Sequence, residues 1–287
     1  MSRRAVSWTF EGSYKTLSYP FRVRTNETRI GEHLDRMLAR FRADAPHTAP
    51  TYSIIRNGDP GRPFAVYRGR RNVHRGSSFA GPIDYVLWDV SSSAIQKTSD
   101  FVALHAGAVT HKGRAILLPG PPDSGKTTLT AALTRAGCSY LTDEAALIDP
   151  NSGLLHPFAR ALWMEAPSLD VIPELRSTLH PDFRAVKRGQ YHLSPEDLRP
   201  DSIGIASPIG CVIAPTYVKG GGIELIPMSR AEALVFLAEN SFNFERFKGR
   251  GLRALASALS TAKCYRLKTG DLDGALAAVF RVARDQS

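Results

Sequence analysis

The chain has 287 residues and a formal net charge of +10. This length suffices for one large domain or two small ones with a substantial core. Hydrophobic residues make up 43% and charged residues 22%, as in ordinary soluble globular proteins. No apolar run approaches the ~20 residues of a membrane-spanning helix. Met1-Ser-Arg-Arg-Ala is a basic start without an apolar stretch behind it, so we expect no secretory signal.

The positive charge is spread along the chain rather than concentrated in one tract. It is found at Arg3-Arg4, Arg68-Gly-Arg70-Arg71, Lys187-Arg188 and residues 246–253. No segment interleaves aromatic and basic residues as a single-strand nucleic-acid binder does. We therefore expect no nucleic-acid partner, and a bound nucleotide with an acidic partner explains the charge more simply.

The cysteines are few and far apart. Cys138, Cys211 and Cys264 form an odd, sparse set, which argues against a disulfide framework or a zinc site. Cys211 and Cys264 fall within apolar, strand-like runs, so we expect buried thiols. A reducing cytoplasm is the expected location.

Residues 1–98 predict a small mixed α/β domain that recognises an acceptor or partner. Residues 21–24 alternate like a strand, and apolar residues within 31–43 have helical spacing. Residues 52–55 and 64–67 predict two further strands, separated by a segment rich in turn residues. The polar, basic residues 69–81 predict a loop.

Residues 99–287 predict a second, α/β domain. Apolar, β-prone runs at 101–110 and 114–118 are split by His111-Lys-Gly, which indicates a hairpin. A helix is predicted over 126–135, with Gly137 at its carboxyl end. The later predicted elements are strands at 140–141, 145–148, 209–214, 223–226 and 264–267, and helices at 229–237, 252–259 and 272–282. Ser229-Arg-Ala-Glu232 is a capping box. This alternation of strands and helices is typical of an α/β domain.

A glycine-rich segment follows the second strand of the predicted hairpin. Gly120-Pro-Pro-Asp-Ser-Gly125-Lys126-Thr127 fits G-x-x-x-x-G-K-[ST], between an apolar strand and a helix. Such a loop folds its N–H groups and the positive end of the helix around phosphate oxygens. Lys126 would reach the terminal phosphates, and the Thr127 hydroxyl would ligate magnesium. The predicted ligands are ATP and Mg²⁺, and the predicted nucleotide-binding residues are Gly120, Pro121, Pro122, Asp123, Ser124, Gly125, Lys126, Thr127 and Thr128.

A pair of acids follows the predicted helix. Asp143-Glu144 comes after Lys126 at a spacing that leaves room for one helix and one return strand. Adjacent carboxylates on a strand point to opposite faces or lie at its end. One of them could face the phosphates as a base or magnesium ligand. The alternative is a solvated pair at the end of a strand.

Three stretches carry a resemblance to a known family. They are Leu104-His105-Ala-Gly-Ala-Val, then Arg114-Ala-Ile-Leu-Leu-Pro followed by the glycine-rich segment, and Ala136-Gly137-Cys-Ser-Tyr-Leu-Thr-Asp143-Glu144. Together they resemble the carboxyl-terminal domain of HPr kinase/phosphorylase and the broader HPr-serine-kinase-like proteins. The resemblance implies a P-loop kinase core of the HPr kinase/carboxykinase type. It also implies that Asp143 takes the proton from an acceptor hydroxyl, with His105 beside it near the phosphates. In the kinase interpretation, Glu144 assists the metal.

The sequence also departs from the family pattern. Lys126-Thr127-Thr128 stands where the family has Lys-Ser-Glu, and Asp143-Glu144 replaces a pair of aspartates. The signature associated with phosphorolysis is not found, so phosphorolysis is not expected. Similar proteins act on HPr, on ribosomally made peptide precursors including lasso peptides, and on free serine. The resemblance therefore implies a hydroxyl acceptor that is a peptide, a protein or a small molecule.

Weaker candidates and other function classes stay open. Arg160 could face the transferring phosphate, although a solvated arginine is the simpler interpretation. Tyr191-His192 could belong to a loop over the site. Residues 243–248, between two predicted helices, could clamp an acceptor, and residues 68–71 could hold an acidic peptide. Alternatives to a kinase are a non-catalytic nucleotide-binding regulatory module and a carboxykinase-like small-molecule enzyme; a homo-oligomer is also open.

Overall fold

The computed structural model describes residues 6–179, 183 and 189–284. The basic pairs Arg3-Arg4 and Lys187-Arg188 lie outside these residues. The chain divides into two units. The first consists of Met1–Thr98 and Ser177–Ser194, and the second of Ser99–Arg176 and Pro195–Ser287.

The first unit is built on a sheet of strands β1 to β5 in sequential order. β2 and β3 are parallel, and the other neighbouring pairs are antiparallel. In β2, alternate residues from Tyr19 to Thr25 are buried, as the two-residue repeat of a strand requires. The elements are β1 (Phe10–Thr16), β2 (Tyr19–Thr25), α1 (Thr28–Leu38), a 3₁₀ turn (Ala39–Phe41), β3 (Thr51–Arg56), β4 (Phe64–Arg68), β5 (Arg71–Gly76) and α2 (Ala80–Lys97).

The predicted loop at residues 69–81 is wrong, because this segment contains β5. The strand pairs antiparallel with β4, and Arg71, Asn72 and Arg75 on it are exposed. A polar strand at the edge of a sheet has no apolar alternation that could identify it. The predicted strands at 52–55 and 64–67 are confirmed as β3 and β4.

The second unit contains, among the described residues, an eight-stranded sheet in the order β10-β9-β6-β7-β13-β15-β14, with β8 also paired to β6. β7, β13 and β15 are parallel neighbours. The remaining elements in chain order are β6 (Val102–His111), β7 (Arg114–Pro119), α3 (Lys126–Arg135), β8 (Ser139–Thr142), β9 (Ala145–Ile148), β10 (Leu155–His156), β11 (Leu162–Glu165), α4 (Ala166–Val171), a 3₁₀ segment (Pro173–Thr178), β12 (Gln190–Leu193, in the first unit), α5 (Pro195–Leu198), β13 (Ile209–Tyr217), β14 (Glu224–Met228), α6 (Arg230–Glu239), α7 (Phe244–Ala258), β15 (Lys263–Thr269) and α8 (Leu272–Arg284).

Helices cover both faces of this sheet, as expected for an α/β architecture. On one face, Leu104 and Ala106 of β6 pack with Leu237 of α6 and Leu255 of α7. On the other face, strand residues pack with α3 and α8. Gly107 lets α3 approach closely, because a Cβ atom there would lie 2.3 Å from Thr130 Oγ1. The sheet therefore holds α3, and the loop before it, in a fixed position.

Two predicted chain reversals are confirmed. β6 and β7 form an antiparallel hairpin whose two turn residues, Lys112 and Gly113, have φ values of 48° and 74°. Positive φ at both positions is typical of a type I′ turn. α3 ends in a Schellman motif, in which the Gly137 N–H donates to Thr134 O and the Cys138 N–H donates to Leu133 O.

The carboxyl-terminal predictions have mixed outcomes. The capping box is confirmed, since the Glu232 N–H donates to Ser229 Oγ and the Ser229 N–H donates to Glu232 Oε2. Residues 243–248 are not a connection between helices, because α7 begins at Phe244 and kinks at Lys248, where φ is 48°. Cys211 and Cys264 are free and buried, as predicted. Among the described residues, no helix is long and apolar enough to span a bilayer.

Candidate functional site

The segment Gly120–Thr127, termed the glycine loop below, connects β7 to α3 at the end of a buried strand. Asp123 and Gly125 have positive φ values of 63° and 91°, which turn the chain back on itself. Gly120 has no room for a side chain, because a Cβ atom there would lie 2.7 Å from Ser124 Oγ. The loop therefore closes tightly and directs its backbone into α3.

Lys126 lies inside the glycine loop and is buried. Its Nζ donates to Pro121 O at 2.6 Å and lies 3.5 Å from Ser124 Oγ. Burial lowers the pKa of this amine, and the carboxylates of Glu144, Asp143 and Asp123 oppose that shift. The buried amine is thus held near three carboxylates and close to the loop backbone.

The first turn of α3 supplies further polar groups. The N–H groups of Lys126, Thr127 and Thr128 begin the helix, where intrahelical acceptors are lacking. No backbone acceptor contacts them within the described part of the chain. Such a turn can hold an anion. The Thr128 hydroxyl instead contacts Ser168 Oγ of α4 at 2.7 Å. For Thr128, therefore, the backbone N–H is the group available to an anion in the loop.

Asp143 and Glu144 lie in the tight connection between β8 and β9. The Thr142 hydroxyl accepts from the N–H groups of Glu144 and Ala145 at 3.3 and 3.2 Å, which fixes this connection. The Asp143 side chain is 2% exposed and the Glu144 side chain 40% exposed. The predicted acid pair is therefore at a strand end, with one buried and one accessible carboxylate.

The buried Asp143 carboxylate has two polar neighbours. The Tyr140 hydroxyl donates to Asp143 Oδ1 at 3.0 Å, and an Arg160 guanidinium nitrogen lies 3.6 Å from the same oxygen. Burial raises the pKa of Asp143, while the Arg160 charge and the Tyr140 hydrogen bond oppose this rise. The carboxyl group is consequently a stronger proton acceptor than an exposed aspartate.

Arg160 is buried rather than solvated, so the simpler interpretation from the sequence is wrong. Its guanidinium lies 3.3 Å from Glu144 Oε2 as well as near Asp143, and it donates to Ala161 O at 3.2 Å. It also lies over the Trp163 ring, 5.6 Å from the centroid. Burial opposes the charged form, but the two carboxylates outweigh it and raise the pKa of Arg160. Arg160 thus places a permanent positive charge between the acids.

His105 lies on β6 beside this group. Its Nε2 is 3.9 Å from Glu144 Oε1, and the Ala106 N–H donates to Glu144 O at 3.1 Å. Burial lowers the pKa of His105, and the charges of Lys126 and Arg160 lower it further, against Glu144. The imidazole is therefore neutral near pH 7, where it can donate one hydrogen bond and accept another.

The segment between α6 and α7 lies beside His105. The His105 N–H donates to Asn240 O at 2.6 Å, the Phe242 N–H donates to Ala103 O at 2.9 Å, and Asn243 Oδ1 accepts from the Ala103 N–H. The exposed Phe242 ring lies 5.4 Å from the His105 ring. The sequence predicts no role for Phe242, since the relevant contact joins residues far apart in the chain.

The two predicted magnesium ligands, Thr127 and Glu144, would suit a Mg²⁺ ion that is also coordinated by the nucleotide phosphates. The half-buried Thr127 and the partly exposed Glu144 provide a hydroxyl and a carboxylate oxygen, the donors that Mg²⁺ prefers. The described residues contain no group of three or more His, Cys, Asp or Glu side chains that could hold a metal. Mg²⁺ commonly uses one or two carboxylates together with substrate phosphates.

Other candidates belong to the first unit. Tyr191-His192 lies in β12 rather than in a loop, and His192 Nε2 is 2.7 Å from Asp84 Oδ1. Arg68 lies 3.1 Å from Asp89 and donates to the Tyr19 hydroxyl. Both are therefore engaged with residues of their own unit.

Comparisons with known proteins give similarity to solved structures only. No protein-family model matches the chain, and no curated protein sequence matches it. Among solved structures, the chain is similar to the one described as "Structure of the Hpr(Ser) kinase/phosphatase from Coxiella burnetii". The sequence identity is 11% and the TM-score 0.32, and the match covers 64% of this chain and 98% of that chain.

Proposed function

We propose that the protein is an ATP-dependent kinase that transfers the γ-phosphate to a serine-type hydroxyl of a peptide, protein or small molecule. The observation that carries this proposal is the buried Lys126 at a strand–loop–helix junction, close to the carboxylates of Asp143 and Glu144 and to His105. A G-x-x-x-x-G-K-[ST] sequence in that context is typical of phosphate-binding loops.

The glycine loop is proposed to hold the nucleotide phosphates. The N–H groups at the start of α3 and the helix dipole favour an anion there. Lys126, which donates to Pro121 O, would donate to the terminal phosphates instead. Bound Mg²⁺ would neutralise charge on the phosphate oxygens. Thr127 and Glu144 are proposed to hold it.

Asp143 is proposed as the proton acceptor for the attacking hydroxyl. Its burial raises its pKa, which improves the match between the base and a weakly acidic hydroxyl. Arg160 and Tyr140 fix the orientation of the carboxylate. Phosphoryl transfer depends mainly on positioning and on charge stabilisation, so a well-oriented aspartate suffices. The neutral His105 is proposed to position the acceptor beside Glu144.

The acceptor is proposed to approach His105 from the side of Phe242. This exposed ring is held beside the imidazole by the backbone contacts of residues 240–243, so it offers an apolar wall there. We further propose that the first unit selects or presents the acceptor. Phosphorolysis is not part of the proposal.

The proposal is tested with γ-labelled ATP and three candidate acceptors: HPr, free serine and a panel of serine-containing precursor peptides. The wild-type protein is expected to label at least one acceptor, and Lys126→Met is expected to label none. Slow ATP hydrolysis without transfer to any acceptor in a cell extract would favour a nucleotide-binding regulatory module. Failure of the wild-type protein to bind ATP with Mg²⁺ would contradict the proposal altogether.

A further inference from the structure

A cluster of exposed apolar side chains lies beside the glycine loop and is not used by the chemistry above. Tyr217, at the carboxyl end of β13, is 55% exposed, and Val218 and Ile223 are also exposed. β13 is the parallel neighbour of β7, the strand that leads into the glycine loop. In open α/β sheets, ligands bind at the carboxyl ends of the parallel strands.

Tyr217 lies beside the loop. A Cβ atom on Gly125 would lie 3.7 Å from the Tyr217 Cβ, and one on Gly120 would lie 3.6 Å from Pro215 O. Gly125 immediately precedes Lys126, the residue proposed to meet the phosphates. A nucleotide whose phosphates lie in the glycine loop would therefore find Tyr217 at the edge of that loop.

The rest of the cluster is placed by the neighbouring strand and helix. Tyr217 is in register with Thr269 of β15, and the Val218 N–H donates to Thr269 O at 2.8 Å. Ile223 immediately precedes β14 in the chain, and its side chain lies against the first turn of α8. A Cβ atom on Gly274 of that turn would lie 2.7 Å from Ile223 Cγ1. Tyr217 and Ile223 thus lie on either side of the end of β15.

The chemistry of this cluster points to a flat, partly apolar ligand. Aromatic side chains stack on nucleobases through their π-faces and tolerate any base. Tyrosine presents such a face without adding charge next to the phosphates. Clustered exposed apolar groups on a soluble unit are also a common mark of a binding site.

We propose that Tyr217 stacks against the purine base of the bound nucleotide, with Val218 and Ile223 forming the apolar rim of the base site. This inference rests on the proposed nucleotide-binding function and adds a base site to it. Tyr217 would raise affinity for a nucleotide but not for a phosphate chain without a base.

The test compares ATP with inorganic tripolyphosphate, each with Mg²⁺, by titration calorimetry of the full chain. Tyr217→Ala is expected to weaken ATP binding about tenfold and to leave tripolyphosphate binding unchanged. Tyr217→Phe, which keeps the ring, is expected to bind ATP like the wild type. Val235→Ala, which removes a 58% exposed side chain from α6, is the matched control and should change neither affinity.

Three results would overturn the base site while leaving the proposed kinase intact. They are an equal loss of ATP and tripolyphosphate binding in Tyr217→Ala, no change in either, and a raised acceptor KM with unchanged ATP affinity. Equal affinity of the wild-type protein for ATP and tripolyphosphate would also overturn it. Binding of neither ligand by the wild type would overturn the proposed function, and the base site with it.

Discussion

Replacing Arg160 with methionine tests whether a buried charge is compensated within the site. The Arg160 side chain is 10% exposed and faces Asp143, which is 2% exposed, at 3.6 Å. Removing one partner of a buried ion pair costs about 3–5 kcal/mol of unfolding free energy. Because the separation exceeds a hydrogen-bond length, we expect the lower end, about 3 kcal/mol. The more exposed Glu144 contributes at most about 1 kcal/mol.

The pH dependence of this loss identifies Asp143 as its source. Arg160 opposes the rise that burial causes in the pKa of Asp143, so Arg160→Met moves that pKa further above the unfolded value of about 3.9. When the pKa of a carboxyl group is higher in the folded state than in the unfolded state, the group favours the folded state at pH values below the unfolded pKa. This contribution to stability is lost as the pH rises through the folded-state pKa. The deficit of the variant should therefore be small at pH 4 and full at pH 8.

Urea unfolding at both pH values, monitored by circular dichroism, measures this deficit. In an Asp143→Asn background, Arg160→Met should cost less than about 1 kcal/mol, because no buried carboxylate is left unpaired. Equal deficits at pH 4 and pH 8, or additive effects in the double variant, would refute the assigned compensation.

Gly137→Ala should destabilise the protein by more than about 1 kcal/mol in thermal unfolding, because Gly137 has a φ of 104°. The control, Gly58→Ala, changes an open site without positive φ and should have little effect. Ser229→Ala should cost about 1 kcal/mol through loss of the α6 cap, yet leave ATP affinity unchanged; a changed affinity measured by calorimetry would count against a purely local role. Phosphate transfer should fall in acid with a midpoint of kcat/KM above the ordinary aspartate value, because burial raises the pKa of Asp143; a midpoint at or below that value, about 3.9, would exclude this carboxyl as the base.

Local sequence signals predicted much of the second unit. The glycine loop, the Lys112-Gly113 turn and the Ser229–Glu232 capping box each depend on residues close together in the chain, and their local structures are as expected. The strand-end position of Asp143-Glu144 follows from the short connection between β8 and β9. The functional roles of these residues stay predictions.

Features that depend on distant residues were not predictable in the same way. Arg160 is buried because Asp143 and Glu144 compensate its charge, which no pattern around residue 160 reveals. Phe242 meets His105 only through the backbone pairing of residues 240–243 with β6. The polar edge strand β5 was missed because apolar periodicity requires a buried face. Tertiary contacts, rather than local propensity, decided each of these cases.

The most direct test of the proposed kinase is Asp143→Asn, assayed for both ATP binding and phosphate transfer. The substitution keeps the size of the side chain and removes the proton acceptor. We expect ATP affinity close to that of the wild type and transfer to the acceptor reduced about 100-fold or more. Undiminished transfer by an Asp143→Asn protein that still binds ATP would contradict the role of Asp143 as the proton acceptor.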